Sequence, residues 1–313
     1  MPINETASVT NCDTNFEPLI SNLKLFLQLC YLTPSALFLS RVIYITAWKY
    51  RKKFRKQRFY TIFLAQCVTG FILVNFSIFF TRPLIYVPQA CEFVLEMIKK
   101  LALFLDIYYP CFRYLQAFQI LYQILFVANR ASCYLWPLSY SLFWKKWLKS
   151  ILTTMAISPC LWIWTIAISD KMIVHGYGGL VVLYYRYVSW ARSTLFFSIL
   201  RLTSVITIVV ATTTMLIKMS RMKKRIRESE RRLCWASVYL SVCYLLPAIA
   251  EFEYFLVLKA KLFENSGILH GLVVICWDIQ NIWYLDICDV MLLQCPISST
   301  VFFTSATQNQ KIC

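Results

Sequence analysis

The chain has 313 residues, of which 59% are hydrophobic, 17% aromatic and 15% charged. This composition is typical of membrane proteins and excludes an ordinary soluble globule. A net charge of +17 would suit a nucleic-acid-binding protein. The basic residues, however, are bunched in short segments between apolar runs, which argues against nucleic acid as a partner and favours a membrane topology.

Seven apolar runs have about the 20 residues needed to cross the hydrocarbon core of a bilayer. They cover residues 23–48, 59–80, 101–127, 150–169, 194–217, 233–258 and 275–303. Apolar character is nearly continuous from Ile268 to Phe303, which leaves the outer start of the last run open. The sequence therefore predicts an all-α membrane protein, a seven-transmembrane helix bundle. It would consist of an N-terminal segment (1–22), the bundle (23–303) and a short tail (304–313).

Lys and Arg are unevenly distributed between the segments that join the predicted spans. Twenty lie in the first, third and fifth joining segments and the tail, and eight lie on the opposite side. Because cytoplasmic loops are enriched in these residues, we expect the N-terminus outside and the C-terminus inside. Asn4 begins a glycosylation signal, Asn-Glu-Thr, which fits an exterior N-terminus. This topology is opposite to that of the insect seven-helix odorant channels.

A distinctive string of residues follows the third predicted span. It contains Asn129 and Arg130, then Pro137, then an aromatic and basic cluster that includes Tyr140 and Trp144. We expect a short loop here, because Pro137 cannot continue a helix. The aromatic and lysine side chains are expected in the headgroup region. Arg130 either marks the cytoplasmic boundary or reaches neighbouring helices at the inner end of the bundle.

This string resembles the nematode serpentine receptors of class gamma, which are seven-helix chemosensory receptors. Ala131 replaces the aromatic residue usual at its position. The start of the sixth span and the spacing from Asp289 to Pro296 in the last span also resemble that family, with sister nematode chemoreceptor classes left open. The resemblance implies a multi-pass G-protein-coupled receptor in the plasma membrane of chemosensory neurons. Its implied partners are a heterotrimeric G protein, a small-molecule or pheromone ligand, and membrane lipid.

Ionisable side chains inside the predicted spans indicate function, because each is costly in hydrocarbon and needs a partner or water. Arg113 lies near the middle of the third span. The bundle implied by the resemblance places the third and last spans side by side, so we expect Arg113 to pair with Asp286 or Asp289. This ion pair is either purely structural or part of a switch.

The ligand site is expected to open outward between the outer halves of the spans, as a mainly apolar pocket with few polar groups. Packing or the interfacial aromatic belt is the alternative role for its aromatic members. The candidate ligand-binding residues are Asp106, Tyr109, Tyr254, Trp277 and Asp278.

The coupling surface is expected at the inner end, where the basic segment between the fifth and sixth spans meets the end of the third. Pro247 weakens the helix ladder in the sixth span and offers a hinge. An outward swing of the inner half of that span would open a cleft for a G-protein α-subunit. The residues expected to contact it are Arg130, Lys224, Arg227 and Arg231.

The sequence contains no recognisable enzyme constellation, metal-spaced Cys/His set or phosphate-binding loop, so no cofactor is expected. A channel or transporter, with the buried charges lining a pathway, is the alternative function. Most of the thirteen cysteines fall in spans, where a free thiol behaves as a small apolar group. Cys12 and Cys91 are the clearly exterior pair, and they are either bridged or free.

Overall fold

A computed structural model of the protein describes residues 18–49, 51, 58–87, 96, 102–176, 179–185, 187, 188, 191 and 193–220. Five helical rods in this part cover the first five predicted spans. The sixth and seventh predicted spans lie outside the described residues, as do both termini. Candidate positions in those segments therefore stay predictions.

The rods follow one another along the chain with short interruptions. Helix α1 is Pro18–Tyr44 and continues as a π-helical stretch, Ile45–Lys49. Helix α2 is Arg58–Phe76, followed by a π-helical turn, Ser77–Thr81, and a short last piece, Arg82–Tyr86. Helix α3 is Ala102–Leu135. Helix α4 is Pro137–Ile157, and after a break at Ser158 and Pro159 it ends with Cys160–Ala167. Helix α5 is Ser193–Ser220.

The π-helical turn in α2 lies next to a proline. The backbone N–H of Arg82 donates to the carbonyl of Ser77, which is a bond between residues five apart. Pro83 follows directly, and it has no N–H to donate to the preceding turn. The wider turn lets the rod continue to Tyr86 despite this missing donor.

A β-hairpin joins α4 to α5. Strand β1, Lys171–Gly176, pairs antiparallel with strand β2, Gly179–Tyr184, from Lys171 opposite Tyr184 to Gly176 opposite Gly179. The sequence analysis did not predict this hairpin. Its signal is a run of β-branched and apolar residues on each side of closely spaced glycines, a pattern that suits paired strands and a tight turn.

Four of the described helices are long and apolar enough to cross a membrane: Ser21–Lys49, Tyr60–Tyr86, Leu138–Ala167 and Leu195–Lys218. Helix α3 is longer than any of them, but polar residues such as Arg113 and Gln123 interrupt its apolar run. It lies in the centre of the described part and packs against α2, α4 and α5. Neighbouring helices therefore shield its polar residues, and Gln123 is only 2% exposed.

The main apolar core joins all five rods. It contains Leu39 of α1, Ile62 of α2, Phe126 of α3, Trp144 of α4 and Ile208 of α5, each no more than 5% exposed. The ends of the rods define two ends of the bundle. The hairpin end holds the hairpin, the start of α3 and the start of α5. The basic end holds the junction of α3 and α4 and the end of α5.

The segment after the third predicted span is not a loop, and that expectation was wrong. Helix α3 continues to Leu135, and α4 begins at Pro137 with Trp136 alone between them. Pro137 does end the first helix, as expected, but it also starts the next one, since the first helical position needs no backbone donor. The fourth rod therefore begins thirteen residues before the predicted start at residue 150.

Candidate functional site

Tyr109 and Arg113 of α3 are in direct contact near the hairpin end. Their spacing of four residues places both on one face of the helix. Arg113 Nη2 donates to the Tyr109 hydroxyl at 3.1 Å, and the guanidinium carbon lies 5.2 Å from the centre of the Tyr109 ring. The same carbon lies 5.6 Å from the ring centre of Phe197 in α5. Aromatic faces can stabilise a cation in this way where water is scarce.

The hairpin lies against this contact. The Tyr184 ring of β2 has its centre 6.0 Å from that of Tyr109. The Tyr184 hydroxyl donates to Ser193 Oγ at 2.9 Å and accepts from the Ser193 backbone N–H at 3.3 Å. Tyr184 therefore connects α3 to the first turn of α5, and Tyr109 itself is 6% exposed.

Asp106 lies one turn nearer the hairpin end than Tyr109. Its carboxylate forms an ion pair with Lys171 Nζ of β1 at 3.2 Å. The Lys171 side chain is 2% exposed and that of Asp106 is 52% exposed. Lys171 Nζ also donates to the Ala167 carbonyl at 2.8 Å, so the base of the hairpin is attached to both α3 and α4.

A second polar contact holds the far side of the hairpin base. The Tyr187 hydroxyl donates to an Asp170 carboxylate oxygen, and the Tyr185 backbone N–H donates to the Asp170 carbonyl at 2.7 Å. The hydrogen bond to Asp170, together with the negative charge of that carboxylate, raises the pKa of Tyr187 above 10.0. The Tyr187 hydroxyl is the hydrogen-bond donor in this contact.

At the basic end, the junction of α3 and α4 is held by side chains. Tyr140 donates to Asn129 Oδ1 at 3.2 Å, and the indole N–H of Trp144 donates to Ser132 Oγ at 2.8 Å. Ser132 Oγ in turn donates to the Asn129 carbonyl at 2.8 Å. Asn129 is 1% exposed and Trp144 is 2% exposed. The expected headgroup position of Trp144 was therefore wrong, because its polar atom is satisfied inside the protein.

Helix α5 reaches the same junction. Lys218 Nζ donates to the carbonyl of Leu135, the last residue of α3, at 3.1 Å. This bond caps the carbonyl end of α3 with a positive charge, which the helix dipole favours. Arg130 is half-buried in the turn before this cap. The ends of three helices thus meet around Arg130 at the basic end.

Residues 25–284 match the family model described as Srg family chemoreceptor. The chain belongs to this family. Serpentine receptor class gamma-1 of Caenorhabditis elegans is 98% identical over 282 residues, which are 90% of this chain and 98% of that relative. Serpentine receptor class gamma-2 of the same organism is 39% identical over 272 residues, which are 87% of this chain and 82% of that relative.

Membership of the Srg family confirms the resemblance seen in the sequence and makes the chain a multi-pass membrane protein of the chemoreceptor class, with a seven-helix bundle. It also places the chain among receptors. Three of the residues that carried the resemblance lie together in the structure, since Asn129, Tyr140 and Trp144 all belong to the α3–α4 junction.

The structure brings together some of the site residues that were predicted from the sequence. Asp106, Tyr109 and Arg113 share one face of α3 beneath the hairpin. The others lie outside the described residues: the candidate ligand contacts Tyr254, Trp277 and Asp278, the expected partners Asp286 and Asp289 of Arg113, and the predicted coupling residues Lys224, Arg227 and Arg231. Asn4, Cys12 and Cys91 lie outside as well.

Sequence reasoning missed the residues that come from other elements. Tyr184, Lys171 and Phe197 contact the predicted residues of α3, but no spacing along the chain connects them to that helix. The hairpin pattern in residues 171–184 was the available signal for the first two. In the described spans, Cys30, Cys67, Cys111 and Cys160 form no disulfide bond.

Proposed function

We propose that this chemoreceptor binds a small environmental molecule or pheromone at the hairpin end and signals to a heterotrimeric G protein at the basic end. The observation that carries the proposal is the course of α3. One uninterrupted helix holds Tyr109 and Arg113 beneath the hairpin and Asn129 and Arg130 at the other end. A displacement of its outer half can therefore reach the inner end without passing through a loop.

The ligand is proposed to contact Asp106 and Tyr109 from α3, together with Tyr254, Trp277 and Asp278 from the last two predicted spans. Tyr109 is well suited to respond to a ligand, because its ring contacts the hairpin and its hydroxyl holds Arg113. A ligand that displaces the ring would change the position of a half-buried cation. Arg113 is proposed to pair with Asp286 or Asp289 in one of the two resulting states.

The ligand test replaces the Tyr109 hydroxyl while keeping its ring. In reporter cells screened with a panel of volatile and pheromone-like compounds, Tyr109→Phe is expected to reduce the potency of an activating compound about tenfold or more. A hydrogen bond to a charged group contributes about 1.5–3 kcal/mol. The potency ratio between the variant and the unchanged receptor is the measurement.

Tyr108→Phe is the matched control. Tyr108 is the adjacent residue, is equally buried at 6% exposure, and its hydroxyl bonds with Thr81 of α2 at 2.7 Å instead of Arg113. Its replacement is expected to leave potency within about threefold at equal surface expression. Equal loss of potency in both variants would show that the effect is general packing, and the ligand site would have to be sought elsewhere.

The coupling test concerns the basic end. Arg130, Lys224, Arg227 and Arg231 are proposed to contact the G-protein α-subunit. Replacement of the last three by Gln is expected to abolish signalling and to leave ligand binding and surface expression intact. The control replaces Arg221, Lys223 and Arg225 by Gln, which removes the same charge from the same segment. If signalling survives the first triple replacement, the segment only orients the protein.

A further inference from the structure

The outward surface of the first three turns of α4 combines lysines with largely exposed leucines. The inward side of the helix is fixed by Trp144, which is buried and bonded to Ser132, and by buried Leu148. At about 100° per residue, five side chains lie between about 100° and 200° around the axis from Trp144. This lysine face consists of Leu138, Leu142, Lys145, Lys146 and Lys149.

The lysine face is open to its surroundings. Leu138 is 94% exposed and Leu142 is 72% exposed, and all three lysines are exposed. Lys146 Nζ lies 5.4 Å from the centre of the neighbouring Trp147 ring, which is itself 46% exposed. Exposed leucines on a membrane-spanning helix indicate a surface that faces the membrane, and lysines beside them can extend toward the headgroups.

The charge on this face is unbalanced within its own part of the chain. The sequence contains no Asp or Glu between Asp106 and Asp170, so α4 carries three lysines and no acidic residue. Lys145 and Lys149 are separated by one helical turn, about 6 Å along the axis, and Lys146 lies beside them. Three ammonium groups so close together match a ligand with several negative charges better than one with a single charge.

We propose that the lysine face binds a phospholipid whose headgroup carries several phosphate groups, in the leaflet at the basic end of the bundle. The three lysines bind the phosphates, and the acyl chains lie along the exposed apolar residues farther along α4, which include Ile157 at 54% and Leu161 at 71% exposure. No residue of α4 beyond Lys149 is charged. The surface thus changes from charged to uncharged in the direction expected from headgroup to hydrocarbon.

This lipid site does not depend on the proposed ligand or G protein, so lipid binding can be measured on the purified receptor alone. Its position also suggests a regulatory role. The lysine face is on the opposite side of α4 from the contact between Trp144 and Ser132, which holds α4 to the end of α3. A lipid that anchors α4 would therefore stabilise the junction around Arg130 from outside.

The test titrates a fluorescently labelled phosphatidylinositol bisphosphate into the purified full-length receptor in mild detergent and follows fluorescence anisotropy. Replacement of Lys145, Lys146 and Lys149 by Gln is expected to weaken binding on the order of a hundredfold. Replacement of the same three by Arg keeps the charge and should retain binding within about threefold. The Arg variant also shows that the substituted face still folds.

Two controls separate a site from general attraction. The triple replacement of Arg221, Lys223 and Arg225 by Gln removes equal charge from the predicted joining segment, and it should change binding less than threefold. Unlabelled phosphatidylserine at equal total negative charge should compete weakly, and so should the free inositol phosphate headgroup, which lacks acyl chains to contact the apolar surface farther along α4.

Three results would overturn the proposal. Unchanged binding in the Gln variant would remove the lysine face from consideration. Equal weakening in both Gln triples would mean that the basic end attracts anionic lipid without a defined site. Competition by phosphatidylserine or by the free headgroup as effective as that of the bisphosphate lipid would contradict the ligand class.

Discussion

Gln123 is a buried polar side chain of α3 whose hydrogen bonding can be tested by substitution. It is 2% exposed, and neither its amide nitrogen nor its amide oxygen has a hydrogen-bond partner in the described part of the protein. A buried polar group without a partner costs about 1–3 kcal/mol. Replacement of Gln123 by Leu is therefore expected to raise the thermal unfolding midpoint in detergent by about 2–4 °C per kcal/mol recovered.

Gln28 of α1 provides the contrast. It is also buried, at 7% exposure, but its Nε2 donates to the Tyr86 hydroxyl at 2.9 Å. Gln28→Leu removes that bond, leaves a buried hydroxyl without its donor and is expected to lower the midpoint. A lower midpoint for Gln123→Leu as well would mean that Gln123 is hydrogen-bonded in the protein, through water or another residue.

At the residue scale, the sequence identified Arg113 as a cation that needs a partner inside the bundle. It did not predict the contact with Tyr109, a neighbour at helical spacing, and the expected partners Asp286 and Asp289 lie outside the described residues. Sequence reasoning was wrong for Trp144, whose position beside lysines suggested the headgroup region. Its burial depends on Ser132, twelve residues away across a helix junction, and no pattern along the chain predicts that bond.

At the scale of elements, the direct junction of α3 and α4 was not predicted, because Pro137 was interpreted only as the end of a helix. A thermal double-mutant cycle tests how the junction is held. Ser132→Ala leaves the buried indole N–H of Trp144 without its acceptor and should lower the free energy of unfolding by about 1–3 kcal/mol. Trp144→Phe removes the donor. The double variant should lose less free energy of unfolding than the two single variants lose together, and the difference should be about 0.5–3 kcal/mol.

Additive losses in that cycle would show that the two side chains act independently, and the junction would then be held by apolar packing alone. Thr153→Ala is a suitable control on the same helix, because its hydroxyl bonds within α4, to the Lys149 carbonyl, and is exposed. It is expected to change stability by less than about 0.5 kcal/mol.

At the scale of the whole molecule, the number and order of the first five helices could be predicted, because span length and apolar content depend on the bilayer rather than on tertiary contacts. The hairpin could not be predicted from span counting, since residues 171–184 form strands only by pairing with each other. The central position of α3 was also not predicted, since its polar residues make it less apolar than the four membrane-length helices.

The orientation of the bundle is the prediction with the widest consequences, because it decides which end meets the ligand. The excess of Lys and Arg at the basic end predicts that this end is cytoplasmic and that the hairpin end is exterior. Enzymatic deglycosylation should then increase the gel mobility of the receptor expressed in animal cells, and Asn4→Gln should abolish that change. A glycosylation-acceptor tag fused after Cys313 should stay unmodified. A modified tag together with an unmodified Asn4 would show that the orientation is the opposite of the predicted one. The cluster around Arg130 would then lie outside the cell, and the contact between Tyr109 and Arg113 would lie nearer the cytosol.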